Sequence, residues 1–142
     1  MKKVIGVICV MVGLVVGTMD VLGLSPEMER IAEKGGAKVC MTFHVTDTQG
    51  NPVTNAQVDA SFYFWHKDGA DTARFVTDTN GMCKVEGRVS IDIQCSFIKD
   101  GYYGSAFHRT IMTRNAVVKD DKWQPWNPTI TITLKEKRKG LS

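Results

Sequence analysis

The sequence is short of most features that would announce a chemistry. Its three histidines, His44, His66 and His108, form no His-x-x-x-His or Glu-x-x-His pair, so the helical spacing of a zinc site is missing. None of its four cysteines lies in a Cys-x-x-Cys, which leaves a redox dithiol or a zinc ribbon without support. Four are also too few for a disulfide-dense miniprotein. There is no Gly-x-Ser-x-Gly, the strained turn that exposes a nucleophilic serine. Asp78-Thr79-Asn80-Gly81 resembles part of a calcium loop, but with Gly81 sixth, the first and twelfth positions fall on Val76 and Gly87, where Asp and Glu are needed. The formal net charge is only +3, with its cations dispersed, whereas a nucleic-acid surface needs clustered Lys and Arg. No repeat with a period of roughly 20–50 residues is visible, which argues against solenoids and propellers. The 142 residues make one domain, too short for a (β/α)₈ barrel of about 250 residues. The expectation is a chain that is not an enzyme, uses no cofactor or metal, and does not bind nucleic acid.

Long apolar runs are also scarce, with one exception. Met1-Lys2-Lys3 is followed by uncharged, mostly apolar residues from Val4 to Val16, and the first acid is Asp20. A positive start and a short apolar stretch have the layout of a secretory signal peptide. A membrane anchor is the alternative, but it needs about 20 apolar residues and would draw Asp20 into the bilayer. Gly17 and Gly23 are usable cleavage sites, with Val15 and Val21 two residues before them. Cys9 lies inside the apolar run rather than after it, unlike a lipoprotein. Residues 1–23 are therefore expected to be a signal peptide, and the chain to be exported: periplasmic, cell-surface or secreted. Membrane contact is expected only if this segment is uncleaved. Removing it leaves a nearly neutral chain. Residues 24–36 then form a short helical spacer or lid, or a helix for a partner. Ser25 can cap the helix, Pro26 suits its first position and Glu27 its first turn. Met28, Ile31 and Ala32 supply an apolar stripe, and Gly35-Gly36 ends it.

From residue 37 the period changes to two. Val39, Met41, Phe43 and Val45 alternate with Lys38, Thr42, His44 and Thr46. Val58, Ala60, Phe62 and Phe64 do the same, as do Val89, Ile91, Ile93, Cys95 and Phe97, and Ile130, Ile132 and Leu134. One apolar face and one polar face fit antiparallel strands packed on a core. Less regular strands fit 73–77, 82–85 and 105–113. Turn residues divide them: Asp47 to Pro52, Lys67-Asp68-Gly69, Lys99-Asp100-Gly101, and Asp78 to Gly81, whose Asn80-Gly81 pair is a strong hairpin signal. About seven short strands with such spacing predict an all-β, antiparallel β-sandwich over 37–136, with a barrel as the alternative.

The stretch from Val45 to Val58, with Asp47, Gly50, Pro52, Val53, Ala56 and Val58 at its fixed positions, resembles the opening of carboxypeptidase regulatory-like domains. Thr77-Asp78-Thr79-Asn80-Gly81 and Gly101-Tyr102 match later motifs of that family in order and spacing. The resemblance covers about residues 39–134 and implies a seven-stranded transthyretin-like, immunoglobulin-like sandwich. Among transthyretin-like folds, 5-hydroxyisourate hydrolases end in Tyr-Arg-Gly-Ser. Here the basic tail, 137–142, ends Lys139-Gly140-Leu141-Ser142, so that activity is not implied.

Cys83 and Cys95 are a candidate disulfide in an oxidising compartment, or else two buried free thiols. The alternation points Cys40 outward with Lys38 and Thr42. The candidate partner-binding residues are aromatic: Trp65, Tyr102, Tyr103, Trp123 and Trp126. Tryptophan and tyrosine beside polar neighbours suit stacking on sugars or anchoring a protein; the alternative is that Trp123 and Trp126 cap an open end of the sandwich. The function expected is an exported, non-catalytic binding or structural module of the cell envelope or extracellular space, with an envelope protein or a glycan as partner. A carbohydrate-binding domain is the alternative.

Overall fold

A computed structural model of the chain describes residues 25–138. The expected signal peptide at 1–23 and most of the basic tail lie outside them. Helix α1 (Pro26–Glu33) comes first, with the Ser25 hydroxyl accepting from the Met28 N–H at 3.2 Å. Nine strands follow: β1 (Ala37–Thr46), β2 (Gln57–Tyr63), β3 (Ala70–Val76), β4 (Met82–Val89), β5 (Asp92–Ile98), β6 (Ser105–Thr110), β7 (Val117–Lys119), β8 (Lys122–Gln124) and β9 (Thr129–Thr133). They form two sheets, ordered β4-β1-β8-β7 with β9 also on β1, and β3-β2-β5-β6. The chain is a β-sandwich, as its alternation and its resemblance predict. No helix among the described residues is long and apolar enough to cross a membrane.

Three details differ from expectation. The first sheet is mixed rather than antiparallel. β1 pairs antiparallel with β4 on one edge and parallel with β8 and β9 on the other, because β9 returns in the direction of β1 after a long crossover. Nine strands replace seven because of the β7–β8 hairpin. Its turn is Asp120-Asp121, both at positive φ (54° and 63°), the geometry of a primed two-residue turn. Finally, the run from Val89 to Phe97 is two strands in different sheets. Ser90 breaks it: the N–H groups of Ser90 and Ile91 both donate to the Tyr63 carbonyl (3.1 and 3.0 Å), and the Ser90 hydroxyl accepts from Trp65 N–H at 2.7 Å.

The two family-like turns are built alike. The Asp47 carboxylate accepts from the N–H groups of Gln49 and Asn51 at 2.8 and 2.9 Å. Asp78 accepts from those of Asn80 and Met82 at the same two distances. These bonds, Asn51's foremost, hold the Asp47 carboxyl below the usual carboxylate range. Gly50 and Gly81 take the positive φ each turn needs (86° and 74°). Both turns carry the chain from one sheet to the other, so Asn80-Gly81 does not close a hairpin. The aspartate side chain sets this geometry instead.

The core lies between the sheets. Phe43 meets Phe97 and Phe107 edge-on, with ring centroids 5.1 and 5.2 Å apart. Gly87 is the missing side chain of β4's inner face. A Cβ there would run into the Phe62 ring from the opposite sheet, as close as 2.5 Å. Met28 and Ala32 of α1 belong to the same apolar cluster. Thr77 is buried beside it, its hydroxyl donating to the Val53 carbonyl at 2.7 Å and accepting from Ala56 N–H at 2.8 Å. Thr77→Val keeps the shape but strands both backbone groups. It is expected to cost about 2–3 kcal/mol in urea unfolding.

Candidate functional site

The predicted aromatic residues are dispersed over the sandwich. Trp123, on the inner side of β8, is only 3% exposed, and its indole N–H donates to the Val89 carbonyl at 2.9 Å. It is a capping core residue and is withdrawn as a surface ligand-binding residue. The three-residue chain of β8 ends at Gln124, and Trp126 lies half-buried against the outer face of the same sheet. Trp65 is 49% exposed just beyond the Tyr63 end of β2. Tyr102 and Tyr103 follow β5, whose Ile98 pairs with Gln57 at the other end of β2. Tyr102 packs partly against the core. Burial, with Glu136 and then Asp47 nearby, raises its phenol pKa. Tyr103 is 45% exposed, with the Lys137 ammonium 5.9 Å from its ring centre. These residues make no single platform.

The cysteines are free and buried. The structure holds Cys83 and Cys95 as two free thiols rather than the expected disulfide, Cys83 paired with Phe43 in one sheet and Cys95 with Ala60 and Phe107 in the other. Both thiols lie on the inner faces, and Cys83 adds to the effect of burial in raising the Cys95 pKa. Burial pushes the thiol pKa of Cys95 to about 12 and that of Cys83 to about 11, which makes both unreactive. Cys40 does occupy the outer phase of β1, yet it is buried. The chain returns beside it after Trp126, and Asn127 N–H donates to its carbonyl at 3.0 Å.

Among the concavities of the described residues, one of about 390 Å³ lies on the β2–β3 pair beside Asp59 and Arg74, and two others adjoin tryptophans. On the outer face of the β1–β4 pair, Trp126 lines an open depression of about 330 Å³ with Lys38, Glu86 and Arg88. Register brings these groups together, since Lys38 sits opposite Arg88 and Cys40 opposite Glu86. Arg88 makes a forked ion pair with Asp121, and the Lys122 ammonium lies 5.1 Å from the Trp126 ring centre. The depression thus combines an indole with charges of both signs. The second concavity, of about 270 Å³, opens between the sheets beside Trp123, with Val39, Met41 and Ile111 in its wall. Arg109 stands at its edge. The sequence marked neither Lys38 nor Arg109. The outward phase of Lys38 and the Phe107-Arg109 alternation were the available signals. Elsewhere, His108 and Asp92 pair at 3.0 Å on the outer face of the β5–β6 pair. Among the described residues, no group of three His, Cys, Asp or Glu side chains is placed to hold a metal ion.

No protein-family model matches the chain, and no curated protein matches it. Solved structures share its fold. The 3-chlorocatechol 1,2-dioxygenase of Rhodococcus opacus 1CP matches with a TM-score of 0.55 and 13% identity, over 72% of this chain and 61% of that one. The catechol 1,2-dioxygenase of Acinetobacter sp. ADP1 matches with a TM-score of 0.54 and 11% identity, over 75% and 55%. The hydroxyquinol 1,2-dioxygenase of Pseudomonas putida DLL-E4 gives 0.53 and 12%, over 72% and 57%. This likeness is one of fold. The aligned part spans about three-fifths of the first of these enzymes and less of the other two. It corrects the expectation that the chain is not an enzyme, since the same sandwich carries enzymes of the dioxygenase class. The missing motifs spoke only against the chemistries those motifs encode.

Proposed function

We propose that the chain is an exported binding module of the carboxypeptidase regulatory-like type, working in the cell envelope or outside the cell. Its recognition surface is the outer face of the β1–β4 pair around Trp126, and its ligand is a glycan. The observation that carries this reading is the depression in which Trp126 lies beside Lys38, Glu86 and Arg88. An aromatic face flanked by charged donors and acceptors suits a sugar ring, which has apolar C–H faces and a hydroxylated rim. Trp126→Ala is expected to weaken glycan binding by about tenfold or more, the scale of an aromatic hot spot. A glycan array followed by titration of the strongest ligand measures it. Absence of any glycan ligand, or binding indifferent to Trp126→Ala, overturns the reading.

Export rests on Lys2, Lys3 and the apolar run that follows them. Sequencing the N-terminus of the chain isolated from its native cells is expected to give Thr18 or Leu24 first. A chain that still begins at Met1 refutes cleavage. A second reading, docking to an envelope protein, draws on Trp65, which is 49% exposed at one end of the sandwich. It predicts that Trp65→Ala, rather than Trp126→Ala, abolishes the interaction.

A further inference from the structure

Cations that lie far apart in the chain meet on one face of the first sheet. Lys38 of β1 sits opposite Arg88 of β4 on one side and opposite Lys122 of β8 on the other, and Lys122 sits opposite Lys119 of β7. Val39, Val89 and Trp123, their neighbours along the strands, are buried, so the cations point outward. They form one row across the strand order β4-β1-β8-β7. With strands ~4.7–4.9 Å apart, the row is about 14 Å long. Like charges directly opposite each other on a sheet face repel. Salt screens them only in part at this spacing, which is shorter than the Debye length of ~8 Å at physiological ionic strength. Arg88 is neutralised by its forked ion pair with Asp121. Lys38, Lys119 and Lys122 have no ion-pair partner among the described residues. Edge protection accounts for Lys119 on β7, since lysine on an edge strand discourages pairing between copies. It does not account for Lys38 and Lys122, whose strands are paired on both sides.

The row runs into the depression around Trp126. Lys38 and Arg88 line that depression, and the Lys122 ammonium lies 5.1 Å from the Trp126 ring centre. A ligand seated on the indole is therefore within reach of all three cations. We infer that the glycan taken by this surface is a polyuronate, a linear chain that carries a carboxylate on each sugar ring. This rests on the glycan reading of the Trp126 depression and adds the charge and the direction of the ligand. One ring lies against the indole, and the chain follows the row across the strands, its carboxylates on Lys38, Lys122 and Lys119. A lone acidic sugar would satisfy one of these lysines, whereas a repeating acid satisfies the row. Flexible, rotatable ammonium groups suit carboxylates that arrive in differing orientations. A nucleic-acid strand is also a repeating anion. Its phosphates would face the carboxylates of Glu86 and Asp121, whereas sugar hydroxyls can donate to them.

The test titrates the full chain by calorimetry, at low and at physiological salt, with oligogalacturonate and oligomannuronate. Each is offered as the free acid and as its methyl ester, which keeps the sugar chain and removes the charge. At least one acid is expected to bind saturably and about tenfold or more tighter than its ester at low salt, with the advantage shrinking as salt rises. Combining Lys38→Gln with Lys119→Gln should weaken the acid by about tenfold, the scale of two exposed ion pairs, without lowering the urea unfolding midpoint. Equal affinity for acid and ester overturns the polyuronate and leaves the glycan reading standing, as does an acid indifferent to the two substitutions. Failure of both acids beside a neutral glycan that binds has the same meaning. Failure of every glycan overturns both. A DNA duplex that displaces the acid at an equal or lower concentration also overturns the polyuronate, and assigns the row to nucleic acid.

Discussion

Trp123→Ala is expected to destabilise the chain by about 3–5 kcal/mol in urea or guanidinium unfolding, the usual cost of emptying a large aromatic site. The indole is 3% exposed, so its removal deletes apolar burial and leaves a void where β8 closes the sandwich. The void would join the existing concavity beside it, which is already lined by Trp123. The structure there has little means of collapsing onto the gap. The hydrogen bond adds a second, separable loss. Trp123→Phe retains a ring but withdraws the donor from the Val89 carbonyl, 2.9 Å away. That variant should cost about 1–3 kcal/mol. Trp126→Ala supplies the contrast. Its ring lies on the outer face, so it should alter stability by less than about 1 kcal/mol while weakening the proposed glycan binding. If Trp126→Ala proves the more destabilising of the two, the assignment of inside and outside is wrong.

That pair of tryptophans shows what the sequence could and could not disclose. β1, β2 and β5 were legible because each alternates long enough for one phase to define a face. β9 was legible as Ile130-Thr131-Ile132 for the same reason. The helix was legible from Ser25, Pro26 and the paired glycines, whose roles are local. β7 and β8 have three residues each, too few for a period to show, and their turn is Asp-Asp rather than the familiar Asn-Gly. With β8 unrecognised, nothing assigned Trp123 to the inner face, and Pro125 erases the phase before Trp126. Alternation also identifies a face without identifying a sheet. Val89 and Ile93 both point inward, but from opposite layers, and the same ambiguity left the sheets of Cys83 and Cys95 unassigned. Arg109 gave no signal because β6 is exposed from His108 onward, which ends the alternation that Phe107 begins.

Gly36→Ala should be at least as damaging as emptying the Trp123 site, for a reason unrelated to hydrophobicity. The helix ends in a Schellman arrangement: Gly36 N–H donates to the Ile31 carbonyl at 2.8 Å, and Gly35 N–H to that of Ala32 at 3.2 Å. Both glycines have positive φ, 96° and 82°, so an alanine at either is strained by roughly 1–2 kcal/mol. Their surroundings differ. A Cβ on Gly35 meets nothing nearer than the His66 ring at 3.7 Å, whereas one on Gly36 overlaps the backbone carbonyl of Val89. That carbonyl cannot yield cheaply. It accepts from the Trp123 indole, and Val89 is paired with Ala37 at the start of β1. Overpacking costs about 1–3 kcal/mol in a yielding core, so against fixed backbone the combined loss should be about 4 kcal/mol or more. Gly35→Ala should lose only its conformational share, about 1–2 kcal/mol. Unfolding both variants in urea separates strain from collision. Equal losses would show that α1 docks on Val89 loosely enough for the helix to move aside, and would free the Trp123 end of the sandwich from the helix.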